Sequence, residues 1–216
     1  MDLSIPKNEL LDYVFKQINV FFPDGNVAQK KKIDTSFDQA LQRTEYCFSK
    51  INAKYFRRHD RVIFDHLHAD HYAMFLYLFS NSLYRNDDRS ALCLKLFQLN
   101  RYLHGVDAFY EVELPDIFLF VHPLGTVLGR AKYSNYFVVY QQCNVGSNHS
   151  KYPVLMEHLT MHPGSSILGN CHVSQNCKMG AGALLLDRDL EQNSLYFGNP
   201  RDFLIKTVEQ TNPIWS

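Results

Sequence analysis

No charge of one sign dominates this chain: 22 Lys and Arg balance 22 Asp and Glu, and neither sign runs in a long block. The electrostatic footprint of a nucleic-acid-binding protein is therefore missing. No window approaches the ~18 uninterrupted apolar residues of a membrane-spanning helix. The opening MDLSIPKNELLDYVFKQ has no basic region leading into an apolar one. We expect a soluble, cytoplasmic protein with neither a nucleic-acid nor a membrane partner. Cysteine is sparse: Cys47, Cys93, Cys143, Cys171 and Cys177 are odd in number and none forms a C-x-x-C pair. That argues against a disulfide framework and a structural zinc site, and for reduced thiols. What is present is apolar material, 46% of 216 residues, enough to bury a core in one large domain or two small ones.

The apolar residues follow two different periods. Up to about residue 105 they recur every three or four positions, as in Phe37, Leu41, Phe48, Ile51 and Tyr55, the stripe of an amphipathic helix. Thr35 and Asp38 are candidates for the capping box that starts it. Further helices are expected over residues 7–21, 67–84 and 88–104, with Pro23, Asp24 and Gly25 breaking the first from the second.

After Pro123 the period becomes six. Val127, Tyr133, Val139 and Val145 form one phased run, and Leu155, Met161, Ile167, Val173, Met179 and Leu185 a second. Four residues later come Ala131, Phe137 and Cys143 in the first run and Leu159, Ser165, Cys171, Cys177 and Ala183 in the second, a register of mostly small residues. A hexad with one aliphatic and one small inward position is the signature of a triangular parallel β-helix. Each six-residue unit makes a face and a corner, and three complete a coil. Gly146, Gly169, Asn170, Gly180 and Gly182 fall where corners need permissive dihedrals. Three of the thiols are thereby expected to be small core residues. Between Val145 and Leu155 the spacing is ten, so four residues within SNHSKYPV must leave the coil as a loop, the kind of segment on which binding residues concentrate.

One motif points elsewhere. In FDHLHADHYAMF, His66, His68, Asp70 and His71 spell H-x-H-x-D-H, the metal-binding signature of the metallo-β-lactamase superfamily. That fold needs further ligands far downstream, where the hexads lie, and the motif leads into the helical run YAMFLYLFSNSLY. A cluster at a helix start, near the dipole, is the plainer account, and no metal is expected.

The hexad region resembles the hexapeptide-repeat acyltransferases, and within them the serine acetyltransferase-like branch. LFQLNRYLHGVDAFYEVELP (96–115) looks like the end of the branch's helical domain, VHPLGTVLG (121–129) like its active-site histidine turn, SILGNCHVSQNCKMGAGALLL (166–186) like its final coils and YFGNPRDFLIK (196–206) like its closing segment. The resemblance implies an N-terminal all-α domain (1–108), a C-terminal left-handed parallel β-helix (109–200) and a short tail (201–216). The left hand comes from the family alone, since ordinary crossovers are right-handed. It also implies acetyl-CoA as co-substrate and a homotrimer, alone or paired into a hexamer, with the site between adjacent chains.

By resemblance, His122 is the general base, Glu113 a carboxylate near the acceptor, and Gly146, Lys178, Gly180 and Ala181 the lining of the coenzyme groove. The acceptor loop offers Lys151 and Tyr152, with His149 nearby. His suits the role because its ordinary pKa leaves a neutral imidazole at neutral pH. Glu111 competes with Glu113, and the E-L-P context favours the latter. His149 and His158 are weaker candidates, as loop and corner histidines, while His162 and His172, directly after inward positions, are left out of the mechanism. The branch places an aspartate before its histidine, where this chain has Val121. A zwitterionic acceptor needs that charge, and unpaired buried groups are costly. The expected activity is therefore O-acetylation of a sugar hydroxyl in a surface polysaccharide or its precursor, with Tyr133, Tyr136, Tyr140 and Tyr152 as ring platforms. Serine O-acetylation is the alternative, and a non-catalytic trimeric scaffold a further one. A backbone N–H in the loop after Val145 is the candidate oxyanion donor.

Overall fold

The computed structural model describes residues 1–24, 30–86, 91–209 and 213–215. Four helices appear there: α1 (Lys7–Phe21), α2 (Lys30–Ser49), α3 (Ala69–Arg85) and α4 (Ala91–His104). Residues 88–90 of the last expected helix, and Gly25, lie outside the described residues. α1 and α3 fall where the three-and-four spacing places them. α2 differs at both ends. It begins at Lys30, so Thr35 and Asp38 lie inside it and form no N-terminal box. It ends at Ser49, which leaves Tyr55 56% exposed. α3 is the central element: every residue from Asp70 to Leu83 is buried, because α2 and α4 cover it on two sides and the β-coil on a third. A small sheet of β1 (Asp2–Leu3), β3 (Arg61–Phe64) and β2 (Arg57–Arg58), in that order, closes the helical end. None of the described helices is long and apolar enough to cross a membrane.

From residue 107 the chain winds into a three-faced parallel coil. One face stacks β4 (Asp107–Ala108), β6 (Val127–Leu128), β9 (Asn144–Gly146), β12 (Ser166–Leu168) and β15 (Leu184–Leu186). The second stacks β5 (Phe118–Phe120), β8 (Phe137–Val139), β11 (Thr160–Met161), β14 (Lys178–Met179) and β16 (Ser194–Asn199), and β17 (Asp202–Thr207) adds antiparallel to its edge. The third stacks β7 (Lys132–Tyr133), β10 (Val154–Leu155) and β13 (His172–Val173).

The second run of hexads is inward throughout: Leu155, Met161, Ile167, Val173, Met179 and Leu185 are each at most 1% exposed. Each such aliphatic contributes roughly 1.5–3 kcal/mol of burial. The first run is corrected at its start. Val127 is 41% exposed and Leu128 is the inward residue, since the β6–β9 register pairs Val127 with Asn144 and Leu128 with Val145. The turn from Leu128 to Tyr133 is one residue shorter than a hexad. Gly129 closes it: its N–H donates to Val145 O, and a Cβ there would come within 2.8 Å of that oxygen.

The small register holds the thiols as expected. All five cysteines are free and buried. Burial pushes the Cys47 thiol up to about 12 and raises those of Cys143, Cys171 and Cys177. Thiolate, not thiol, is the nucleophile. Iodoacetamide should therefore leave the native protein unlabelled over a time in which the denatured chain takes up five adducts by intact mass.

Candidate active site

The site is built where α3 lies along β5 at the top of the coil. Asp70 and Tyr77 are seven residues apart, two turns of one helix face. Asp70 Oδ1 accepts the backbone N–H of His122 at 3.0 Å. Tyr77 packs edge-on against Phe118 at 5.8 Å, and its hydroxyl bridges Val112 O at 2.6 Å and the N–H of Leu114 at 2.9 Å. Further along α3, Asn81 donates to Tyr110 O at 2.8 Å and Arg85 forms an ion pair with Glu113. The helix thus runs from one corner of the coil to another.

This arrangement separates two residues that the sequence suggests as partners. Asp70 touches His122 and Arg85 touches Glu113, and the fifteen helical steps from Asp70 to Arg85 on α3 span about 22 Å at 1.5 Å each. The structure does not bring Glu113 to His122. Glu113 instead lines a shallow cavity of about 400 Å³ with Arg85, Asp116, Tyr133, Asn135 and Glu157. Glu111 is exposed, with Arg130 at 3.8 Å. Another carboxylate, that of Asp70, meets the His122 corner; Asp107 reaches the turn through its backbone N–H, which donates to Thr126 O, while its carboxylate lies 3.4 Å from Arg101 Nε.

His122 is exposed and adopts a φ of +48°, a conformation sparse for non-glycine residues. Its carbonyl accepts from Leu124 N–H at 2.8 Å, closing the turn. Below it the ladder Val121, Tyr140, His162, Gly180 descends through backbone bonds to Val139, Met161, Met179 and Tyr196. Three steps of ~4.8 Å put Gly180 and Ala181 about 14 Å down the same edge. Lys178 lies on this face, close enough to His162 that its charge joins burial in lowering that imidazole's pKa. Gly180 also has a packing reason to be glycine, because a Cβ there would meet the Phe197 ring at 2.3 Å.

Gly146 and the loop of His149, Lys151 and Tyr152 stand on a different edge. From Gln142, which lies under Leu124, to Gly146 the chain crosses a face of four residues, about 13 Å. The loop leaves the coil as the broken spacing requires. Asn148 and Lys151 pair through their backbones at 2.9 and 3.1 Å, and His149, Lys151 and Tyr152 are exposed. Asp187, which the sequence did not single out, pins it by accepting from Asn148 Nδ2 at 2.5 Å and from the Asn170 N–H at 2.7 Å. The Asn170 N–H, then the Asn148 amide, hold its carboxyl below the usual range, with His149 and Lys151 adding to this. Asp187→Ala should speed hydrogen exchange of the loop amides at least about tenfold, read by mass spectrometry, and leave the coil amides unchanged.

Of the four tyrosines suggested as platforms, Tyr133 is buried with its hydroxyl on Gly129 O at 2.8 Å. Tyr136 stacks on His158 at 4.3 Å and Tyr140 on His162 at 5.4 Å. Tyr152 alone among them stands clear, 45% exposed.

The residues of the H-x-H-x-D-H motif are engaged separately. His66 Nδ1 is 2.8 Å from Ser4 Oγ. His71 sits among Phe48, Phe56 and Phe64, its Nδ1 accepts the Asp65 N–H at 3.1 Å, and burial holds its pKa down at about 3. His68 stacks on it at 4.2 Å, and Asp70 faces His122. Among the described residues no group of three or more His, Cys, Asp or Glu is disposed to hold a metal ion.

No family model matches the chain. A serine acetyltransferase of Synechococcus elongatus is 26% identical over 124 residues, 55% of this chain and 50% of that protein. A solved serine acetyltransferase from Vibrio cholerae superposes with a TM-score of 0.67 at 18% identity, covering 84% of this chain and 72% of that one. A serine acetyltransferase solved in complex with CoA aligns with a TM-score of 0.53 at 20% identity, over 62% of this chain and 55% of that one. The chain spans about half the length of the serine acetyltransferases that it matches in sequence. In sequence the chain is similar to serine acetyltransferases, and it shares with the solved ones a helical region followed by a parallel β-coil.

Proposed function

We propose that the protein is an acetyl-CoA-dependent O-acetyltransferase with L-serine as its acceptor. The observation that carries this reading is the corner itself: an exposed histidine held in a fixed turn, at the head of the coil edge that descends to Gly180; Lys178, Gly180 and Ala181 would line the coenzyme's path along it. In the reaction, the His122 imidazole takes the proton of the acceptor hydroxyl as its oxygen attacks the thioester carbonyl. A backbone N–H of the 147–152 loop receives the developing oxyanion. The tetrahedral intermediate collapses, the C–S bond breaks, and the leaving thiolate takes the proton back from the imidazolium.

Serine replaces the sugar hydroxyl as favoured acceptor on two grounds. The sequence relatives are named for serine, and three of the four tyrosines that would have formed a sugar platform are engaged elsewhere. A carboxylate does reach the turn that follows Val121, because Asp70 Oδ1 accepts the His122 N–H. Glu113, paired with Arg85 at the far corner, drops out of the acceptor site.

The His122 edge and the loop edge carrying Gly146, His149, Lys151 and Tyr152 lie a face apart on one chain. A neighbouring copy in a trimer supplies the second edge. The test is acetyl-CoA turnover with L-serine beside a panel of free and nucleotide-linked sugars, read by thiol release. Turnover above the no-acceptor rate with L-serine supports the reading, and turnover with sugars alone overturns the choice of acceptor.

A further inference from the structure

We propose that Asp70 is a positioning residue for His122: a carboxylate lent by the helical domain that clamps the turn carrying the base. The inference rests on the acetyltransferase reading above and deepens it. It also gives a role to a residue of the H-x-H-x-D-H motif that needs no metal.

Three observations converge. Asp70 is 6% exposed in the first turn of α3, and its Oδ1 accepts the His122 N–H across 52 residues of sequence. The residue it holds has a φ of +48°, a strained conformation that persists only where its surroundings over-determine it. Pro123 follows and has no N–H to offer, so the turn is fixed from outside by Asp70 and from inside by the Leu124 bond to His122 O. Finally, the basic groups that face the carboxylate are the imidazoles of His122 and His68. Among the described residues no Lys or Arg forms an ion pair with it.

That last point separates a positioning role from a merely structural one. Burial raises the pKa of the Asp70 carboxyl, and the two imidazoles only partly oppose this, so holding it ionised costs stability. A neutral amide would accept the same N–H at lower cost. A charge kept where stability disfavours it, behind the base, fits a function: it orients the base and favours the imidazolium formed during proton transfer.

The experiment compares full-length Asp70→Asn, which keeps an acceptor oxygen, with Asp70→Ala, which does not. We expect Asp70→Asn to melt at or above the wild-type temperature, to keep the KM for acetyl-CoA within about twofold, and to lose roughly tenfold in kcat. Asp70→Ala should lose roughly a hundredfold in kcat, and its His122 amide should lose hydrogen-exchange protection by NMR. Two outcomes overturn the clamp. One is kcat within about twofold of wild type in both variants, while transfer still requires His122. The other is a kcat loss in Asp70→Asn that merely follows a lowered melting temperature and a raised KM. The functional reading fails separately, if the wild-type protein transfers no acetyl group or His122→Ala transfers it undiminished. The amide measurement still reports on the clamp in that case.

Discussion

His122→Ala lowers the rate of acetyl transfer by about 10²- to 10⁴-fold, the usual contribution of a general base. The loss is expected to fall on kcat, with binding of acetyl-CoA close to wild type, because Lys178, Gly180 and Ala181, the residues proposed to hold the coenzyme, lie some three rungs below. Folding is unaffected: His122 is exposed and its structural bonds are made by its backbone, which alanine keeps. A φ of +48° costs an L-residue roughly 1–2 kcal/mol, and histidine already bears that cost, so a melting curve should show little change. Steady-state kinetics by thiol release, with isothermal titration of the coenzyme, checks both halves. A variant that keeps its rate would make the corner a scaffold and not a site.

The largest loss of stability is expected from Phe118→Ala. Phe118 is fully buried in β5. Its ring meets Tyr77 at 5.8 Å and Phe120 at 5.0 Å, and its carbonyl accepts from Cys47 Sγ at 3.1 Å. It therefore joins α2, α3 and the first coil. Removing so enclosed a ring costs about 3–5 kcal/mol, the transfer term plus a cavity that three elements cannot collapse into. At roughly 2–4 °C per kcal/mol for a chain of this size, the melting temperature falls by about 6–20 °C. Activity at low temperature is expected to fall with it, since His122 lies four residues further on, in the turn that β5 leads into. Val20→Ala, at a side chain 76% exposed on α1, serves as the control and changes stability by less than about 0.5 kcal/mol.

Much of the fold was legible because its causes are local. A hexad with Met161, Ile167, Val173 and Met179 in phase has few other ways to bury those side chains, and the same register explains Cys143, Cys171 and Cys177 without chemistry. The misreadings share a cause. Val127 kept the six-residue spacing but not the inward face, since the turn at Gly129 is set by the approach of Val145 O from the next coil. α2 reaches back to Lys30, past the local signal at Thr35.

At the candidate site, VHPLG singled out His122 by resemblance, and the broken spacing after Val145 revealed the loop. The carboxylates were not. Glu113 was preferred for its neighbours in sequence, yet α3 carries its partner Arg85 to the far corner. Asp70 and Asp187 act across 52 and 39 residues, contacts that no periodicity encodes. Of the H-x-H-x-D-H motif, it is the aspartate that meets the His122 turn.

The central claim is that an acetyl group moves from the thioester of acetyl-CoA to a hydroxyl oxygen at the His122 corner. The direct measurement follows acetyl-CoA labelled with ¹³C at the carbonyl by NMR, with L-serine present and the wild-type protein beside His122→Ala. The account predicts that the thioester resonance gives way to an oxyester resonance with the wild-type protein and persists with the variant. Label appearing only as free acetate, or in equal measure with both proteins, would contradict it.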